Sequence, residues 1–110
     1  MTSVVFKRNL GKLVSFNISG HTGYAEENED IVCSAISAIS LTIVNGITEI
    51  LKIGIECTVK DGFLSADLHN FSFEEINRCQ VLLETLLLGL KSIEINYSDY
   101  IEIKIEIEEV

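Results

Sequence analysis

The feature that most constrains the fold is an uncharged run of 18 residues, from Ile31 to Thr48. A membrane-spanning helix needs about 20 predominantly apolar residues, whereas this run contains three serines, two threonines and one asparagine, with acidic residues at both ends. Its apolar side chains recur at the spacing of one helix face. We therefore expect a long helix, from near Asp30 to near Ile50, that is buried in a small domain and does not enter a membrane.

Five other segments have the alternation or the composition of short strands: residues 2–8, 12–19, 52–60, 63–68 and 100–108. Turns at 9–12 and at Asp61-Gly62 join the first four strands into two hairpins. A second helix begins after Ser72, because Ser72 and Glu75 have the spacing of a capping box. In the last strand four isoleucines alternate with charged residues, so the isoleucines share one face and the charged residues the other. This strand is either central in the sheet or part of a dimer interface.

The predicted order of elements is β-β-α-β-β-α-β. Two hairpins and one added strand imply a mixed, mostly antiparallel sheet with two helices packed against it, which is an α+β architecture. The chain has 110 residues, of which 47% are hydrophobic. That length and composition predict a single domain over residues 1–110 with a core of its own.

The charge of the chain limits its partners. Seventeen acidic and eight basic residues give a formal net charge of −9. This charge argues against direct binding of nucleic acid and favours a basic protein partner. The three cysteines form no CxxC pair, and the first residues lack the apolar core of a secretory signal. We therefore expect a cytoplasmic protein with free thiols.

Cys33 lies close to the predicted start of the long helix. If Asp30 is the N-cap, Cys33 falls in the first turn, where the positive end of the helix dipole favours a thiolate. The backbone N–H groups of Cys33 and Ser34 could then stabilise the oxyanion of an attacked carbonyl. Ser37 lies one turn further along the same helix face, where it either bonds to the thiolate or only packs.

A histidine precedes this cysteine across a short acidic loop. His21 is separated from Cys33 by eleven residues, enough for it to take the thiol proton and return it to a leaving amine. Gly20 and Gly23 allow the loop to bend, and Tyr24 either packs on an aromatic substrate residue or anchors the loop. The alternative is a buried, inert cysteine in a non-enzymatic module whose acidic loop holds a basic partner.

Histidine and cysteine side chains also bind metal ions, so a zinc site is an alternative hypothesis for these residues. A zinc site built from His21, Cys33, His69 and a further cysteine lacks the close ligand pairs of structural zinc sites. Cys57 falls in a predicted strand and Cys79 in the second helix, so both are expected to be core thiols. We expect no metal and no cofactor, and His69 is interpreted as a loop residue.

The stretch from Gly20 to Ala38 resembles the signature of the ribosomal-processing cysteine proteases of the Prp family, GHxGYAxxGxDIVCAAVSAL. The residues that agree, without a gap, are Gly20-His21, Gly23-Tyr24-Ala25, Asp30-Ile31-Val32-Cys33, Ala35 and Ser37-Ala38. Two departures are Asn28, where the family has glycine, and Ser34, where it has alanine. Asparagine tolerates a left-handed backbone better than most residues, and neither departure alters the histidine or the cysteine.

This resemblance implies a cysteine endopeptidase that removes a short N-terminal extension from a large-subunit ribosomal protein, number twenty-seven, by cutting after a bulky aromatic residue. Position by position, Cys33 would be the nucleophile and His21 the general base and acid, while Asp30 would orient the loop or only cap the helix. The resemblance also implies a homodimer. A basic ribosomal precursor suits a chain with a charge of −9.

Overall fold

Five strands and two helices follow the predicted order in the computed structural model, which describes residues 1–20, 27–60 and 62–108. The strands are β1 (Thr2–Asn9), β2 (Lys12–Ser19), β3 (Glu56–Lys60), β4 (Phe63–Asp67) and β5 (Ile101–Glu108). The helices are α1 (Glu27–Asn45), which a π-helical turn at Gly46–Ile50 extends, and α2 (Phe73–Asn96).

The strands form one sheet in the order β3-β4-β2-β1-β5. β1 pairs antiparallel with β2, β2 with β4, and β3 with β4, so both predicted hairpins are confirmed. β5 pairs parallel with β1, because α2 carries the chain back across the sheet before the last strand begins. The mixed, mostly antiparallel sheet with two helices is the predicted α+β fold, and β5 is one of its edges.

One face of the sheet and the two helices enclose the core. Alternation along β1 points Val4 and Phe6 into it, and the ring of Phe6 lies 5.9 Å from that of Phe16 on β2. The largest fully buried side chains are Phe6, Phe16, Leu13, Ile47, Ile53, Leu68, Leu83, Leu86, Leu90, Ile101, Val4 and Val32. Each such side chain stabilises the fold by about 1.5–3 kcal/mol relative to exposure.

One face of the uncharged run belongs to this core, since about a third of its apolar window, 33%, is buried. By length and composition, Ile31–Ile50 could cross a membrane. One stripe of it is nevertheless packed against the sheet and α2, since Val32, Ile36 and Ile47 are at most 2% exposed. This packing supports the interpretation of the run as the core helix of a small domain.

Two predicted boundaries are wrong. α1 begins at Glu27 rather than near Asp30, consistent with the preference of acidic residues for the first turn of a helix. The third strand begins at Glu56 rather than at residue 52, because Lys52 has a left-handed backbone with φ of 59°. Ile53 then turns into the core, where its N–H donates to the carbonyl of Ile47 instead of to a neighbouring strand.

Candidate active site

Cys33 is the seventh residue of α1 and lies half-buried against the first strand. Its Sγ is 3.6 Å from Oγ1 of Thr2, a distance at which a thiol and a hydroxyl form a hydrogen bond. Thr2 is 4% exposed. The thiol is therefore fixed by a buried hydroxyl on one side and open to a cavity on the other.

Thr2 reaches the cysteine because of where β1 begins. It shares the inward face of the strand with Val4 and Phe6, so its side chain points between the sheet and α1. Its backbone N–H donates to the carbonyl of Tyr100 at 2.8 Å, just before β5. Its hydroxyl lies 3.3 Å from the carbonyl oxygen of Gly20 and donates to it.

Gly20 closes the site at the end of β2. Its φ is +99°, and a Cβ built on it would collide with the carbonyl oxygen of Met1. Its N–H donates to the carbonyl of Gly62 at 3.2 Å. Both backbone polar groups of Gly20 are therefore bonded, and the chain leads from this fixed point directly into His21.

A cavity of about 350 Å³ opens beside the thiol. α1 contributes the three candidate residues Cys33, Ser34 and Ser37 to its wall, and Gly20 lies in the same wall. The other lining residues are Thr2, Ile18, Ile36, Leu41, Val59, Lys60, Gly62, Phe63 and Leu64. Most of these side chains are apolar, so the cavity suits an apolar or aromatic group placed next to a nucleophile.

The structure thus brings together four of the candidate residues predicted from the sequence: Gly20, Cys33, Ser34 and Ser37. His21, Gly23 and Tyr24 lie outside the described residues. Asp30 is inside α1, three residues after its first residue, so the prediction that it caps the helix is wrong.

Because α1 begins at Glu27, the predicted stabilisation of an oxyanion by the N–H groups of Cys33 and Ser34 is also wrong. Only the first four N–H groups of a helix lack a partner four residues earlier. Cys33 and Ser34 lie beyond those four positions, so their N–H groups bond within α1 and are not free to hold an oxyanion. The prediction that Cys33 occupies the first turn, at the end of the helix dipole, is wrong for the same reason.

Reasoning from the sequence missed Thr2 and the wall formed by the second hairpin. A hydroxyl among the inward residues of β1 was the available signal for Thr2. No local signal could have identified Val59, Lys60 and Phe63, because their position beside Cys33 depends on the order of strands in the sheet.

The other two cysteines lie apart from this cavity. Burial raises the pKa of the Cys57 thiol. Burial also raises the pKa of Cys79, although the charge of Arg78 opposes that shift. All three cysteines are free thiols, and Cys79 is a fully buried core residue, as predicted.

His69 lies in a loop after β4, as predicted, and belongs to a different cluster. Its Nδ1 is 2.5 Å from Asp67 and its Nε2 is 2.6 Å from Glu108. The hydrogen bond with Asp67 raises the pKa of His69, burial opposes this, and the bond with Glu108 adds to it. Burial of Asp67 is outweighed by its hydrogen bonds with His69, which lower the pKa of the carboxyl.

No metal centre accompanies these residues in the part of the chain that the structure describes. Within that part, no three histidine, cysteine or acidic side chains are arranged to hold an ion. His69 already uses both ring nitrogens on carboxylates. The chemistry that the described site offers is that of a thiol, a hydroxyl and an apolar cavity.

Known proteins have the same fold and similar sequences. A family model described as Cysteine protease Prp matches residues 1–102. The Ribosomal processing cysteine protease Prp of Bacillus subtilis is 28% identical over 112 residues, which cover 94% of this chain and 96% of that relative.

Two crystal structures of the essential ribosomal processing protease Prp from Staphylococcus aureus are also similar. The complex with a substrate peptide superposes with a TM-score of 0.85 at 25% identity, over 96% of this chain and all of that one. The complex with a covalently linked product peptide superposes with a TM-score of 0.80 at 27% identity, over the same shares.

Proposed function

This chain belongs to the Prp family of ribosomal-processing cysteine proteases, and we propose that it removes the N-terminal extension of large-subunit ribosomal protein number twenty-seven. Cys33 is the nucleophile in this proposal, and His21 is the general base and acid. The observation that supports it most directly is the half-buried thiol of Cys33 at the wall of an apolar cavity.

The proposed reaction has two steps. His21 accepts the thiol proton, the Cys33 sulfur attacks the scissile carbonyl, and the resulting tetrahedral intermediate collapses to a thioester. The leaving amine departs with the proton that His21 returns. Water, deprotonated by His21, then attacks the thioester carbonyl and releases the new carboxylate and the thiol.

The lining of the cavity supports cleavage after a bulky aromatic residue. Ile36, Leu41, Val59, Phe63 and Leu64 surround a space of about 350 Å³ beside the thiol. This volume lies within the usual range for ligand pockets, which is about 300–1,000 Å³. An aromatic side chain bound there would place the following peptide bond next to Cys33. The net charge of −9 also favours the approach of a basic precursor.

A homodimer in the cytoplasm is part of the proposal. Val81, Leu88 and Ile95 are 77%, 65% and 80% exposed and lie seven residues apart on α2. Thr85 and Ser92 lie between them, and their hydroxyls donate to helix carbonyls. This apolar stripe supports an interface in which α2 packs against α2 of a second copy of the chain. The cytoplasmic location is supported by the three free thiols, which suit a reducing compartment. Sedimentation should give a dimer for the native chain and a monomer for Leu88→Glu.

Mass spectrometry of a synthetic precursor peptide tests the catalytic proposal. The peptide spans the N-terminal extension and the first mature residues, and the proteins are the native chain, Cys33→Ala, His21→Ala and Cys57→Ala. We expect one cut after a bulky aromatic residue with the native chain and with Cys57→Ala, and none with the other two. Cleavage by Cys33→Ala would overturn the assignment of the nucleophile.

A second peptide tests the substrate preference independently. In it, the aromatic residue before the cut is replaced by alanine, which leaves the apolar cavity unfilled. We expect its kcat/KM to fall at least tenfold, since a lost aromatic contact of about 1.4 kcal/mol or more changes the rate by that factor. Equal cleavage of both peptides would mean that the cavity does not hold the residue before the cut.

A further inference from the structure

We propose that Thr2 is a positioning residue of the protease site, whose hydroxyl holds the Cys33 sulfur and stabilises it as a thiolate. The inference rests on the proposed role of Cys33 as nucleophile and adds a residue to that site. It is carried by the contact between Oγ1 of Thr2 and Sγ of Cys33, at 3.6 Å.

Backbone hydrogen bonds fix the position of Thr2 independently of its contact with Cys33. Its N–H donates to the carbonyl of Tyr100 at 2.8 Å, and it pairs with Ile101 in the β1–β5 ladder. Its side chain is nine-tenths or more buried, since the residue is 4% exposed. A hydroxyl held in this way has few alternative partners in the protein, and the contacts given for it are those with Gly20 and Cys33.

The hydroxyl has two acceptors within reach and one proton to give. Oγ1 is 3.3 Å from the carbonyl oxygen of Gly20 and 3.6 Å from the sulfur of Cys33. While Cys33 is a thiol, Thr2 donates to Gly20 and can accept the S–H of Cys33. When Cys33 is a thiolate, it has no proton to give, and the hydroxyl rotates to donate to the sulfur.

This exchange favours the ionised cysteine. A hydrogen bond to a charged acceptor is roughly twice as strong as one between neutral groups. The thiolate gives up two neutral bonds, the one to Gly20 and the one that the S–H of Cys33 donates to Thr2. Because S–H is a weak donor, the bond gained by the thiolate still outweighs them.

The same hydroxyl ties the nucleophile to the segment that carries the proposed base. Gly20 is bonded to Thr2 through its carbonyl and to Gly62 through its N–H. His21 follows Gly20 directly in the chain. Thr2 therefore joins the sulfur of Cys33 to the fixed backbone from which the chain continues into His21.

Two substitutions separate the hydroxyl from the shape of the side chain. Thr2→Val keeps the branched, buried side chain and the β-strand preference but removes the hydroxyl. Thr2→Ser keeps the hydroxyl and removes a methyl group. The rate of alkylation at Cys33 by iodoacetamide is measured from pH 5 to 10 in each protein, with Cys33 identified by peptide mass spectrometry. kcat and KM for the precursor peptide are measured beside it.

We expect Thr2→Val to move the midpoint of the alkylation profile upward, because the thiolate loses the hydroxyl that lies 3.6 Å from its sulfur. Its kcat at neutral pH should fall about tenfold while KM changes less than twofold, because the thiolate and not the cavity is affected. Thr2→Ser should keep both values close to those of the native chain. If Thr2 served strand pairing alone, Thr2→Val would leave both the alkylation midpoint and kcat in place, because valine keeps the β-strand preference and the backbone bonds.

An unchanged midpoint and kcat in Thr2→Val would overturn the inference. If circular dichroism shows that Thr2→Val does not fold, Thr2→Ala gives the same test by the same two readouts. A different result would refute the proposed function. The native chain would then not cut the peptide, but the alkylation profiles would still show whether Thr2 controls the reactivity of the Cys33 thiol.

Discussion

Gly20→Ala should destabilise the protein more than Gly11→Ala or Gly54→Ala, because two costs add. The φ of +99° lies where side chains other than glycine are strained, at about 1–2 kcal/mol. The added Cβ also collides with the carbonyl oxygen of Met1, and displacing the backbone of a packed strand costs about 1–3 kcal/mol. The sum is roughly 2–5 kcal/mol, a large part of the 5–15 kcal/mol that stabilises a typical domain.

Substitutions at two other glycines allow the backbone cost and the collision cost to be measured separately. Gly11 also has a positive φ, of +79°, but an added Cβ would have no atom within 4 Å, so Gly11→Ala should show only the backbone cost. Gly54 has open space and no positive φ, so Gly54→Ala should be neutral or stabilise by up to about 1 kcal/mol. Together the three variants measure the collision as the difference between Gly20→Ala and Gly11→Ala.

Urea unfolding followed by circular dichroism measures the difference. With a slope of about 1.5 kcal/mol/M, a loss of about 3 kcal/mol lowers the unfolding midpoint by roughly 2 M. We expect the unfolding midpoint to be highest for Gly54→Ala, lower for Gly11→Ala and lowest for Gly20→Ala. If Gly20→Ala unfolds at the same urea concentration as Gly11→Ala, the close approach of Gly20 to the start of β1 is refuted.

Three further predictions concern stability. Ser72→Ala should cost about 1 kcal/mol in urea unfolding, because α2 loses its capping box, and a variant as stable as the native chain would contradict this. The hydrogen bond with Asp67 raises the pKa of His69, so its stabilisation is complete below the unfolded value of about 6.5 and is lost as the pH rises through the folded value. The difference in unfolding midpoint between the native chain and His69→Gln should therefore be larger at pH 5.5 than at pH 8.5, and a constant difference would argue against the ion pair. Ile47→Ala should cost about 2–5 kcal/mol by calorimetry or urea unfolding, since Ile47 is fully buried, whereas Ile50→Ala should cost little at 79% exposure. Similar losses in both would contradict the burial of Ile47.

Local signals in the sequence predicted the elements well. The turn at 9–12 lies between β1 and β2 as expected, because a glycine there adopts a positive φ that the turn requires. The capping box of Ser72 and Glu75 is confirmed, with both reciprocal bonds at 3.1 Å. These features depend on residues only a few positions apart, so the sequence contains the information directly.

The predictions that were wrong or left open concern segments whose structure depends on contacts with distant parts of the chain. The alternation of Lys52 to Ile55 is typical of a strand, yet Ile53 and Ile55 are buried in the core and their N–H groups donate to the carbonyls of Ile47 and Ile53. The alternation in β5 left its place in the sheet open, because an edge strand and a central strand can share that pattern. Its parallel pairing with β1 is set by the crossover through α2.

The candidate site shows the same division. The motif around Cys33 predicted the helix that carries this cysteine and three neighbours that do line the cavity: Gly20, Ser34 and Ser37. Thr2 was not predicted, because its contact with Cys33 joins residues 31 positions apart and exists only once β1 packs against α1.

The assignment of Cys33 as nucleophile can be tested directly by forming a covalent adduct with a substrate-like inhibitor. A short peptide that ends in an aromatic residue and bears a chloromethyl ketone is incubated with the native chain, and the adduct is located by mass spectrometry. We predict one adduct per chain, on Cys33, with Cys57 and Cys79 unmodified because burial raises the pKa of both thiols. Equal labelling of Cys33→Ala, or an adduct on one of the other cysteines, would contradict the claim that Cys33 is the nucleophile of this protease.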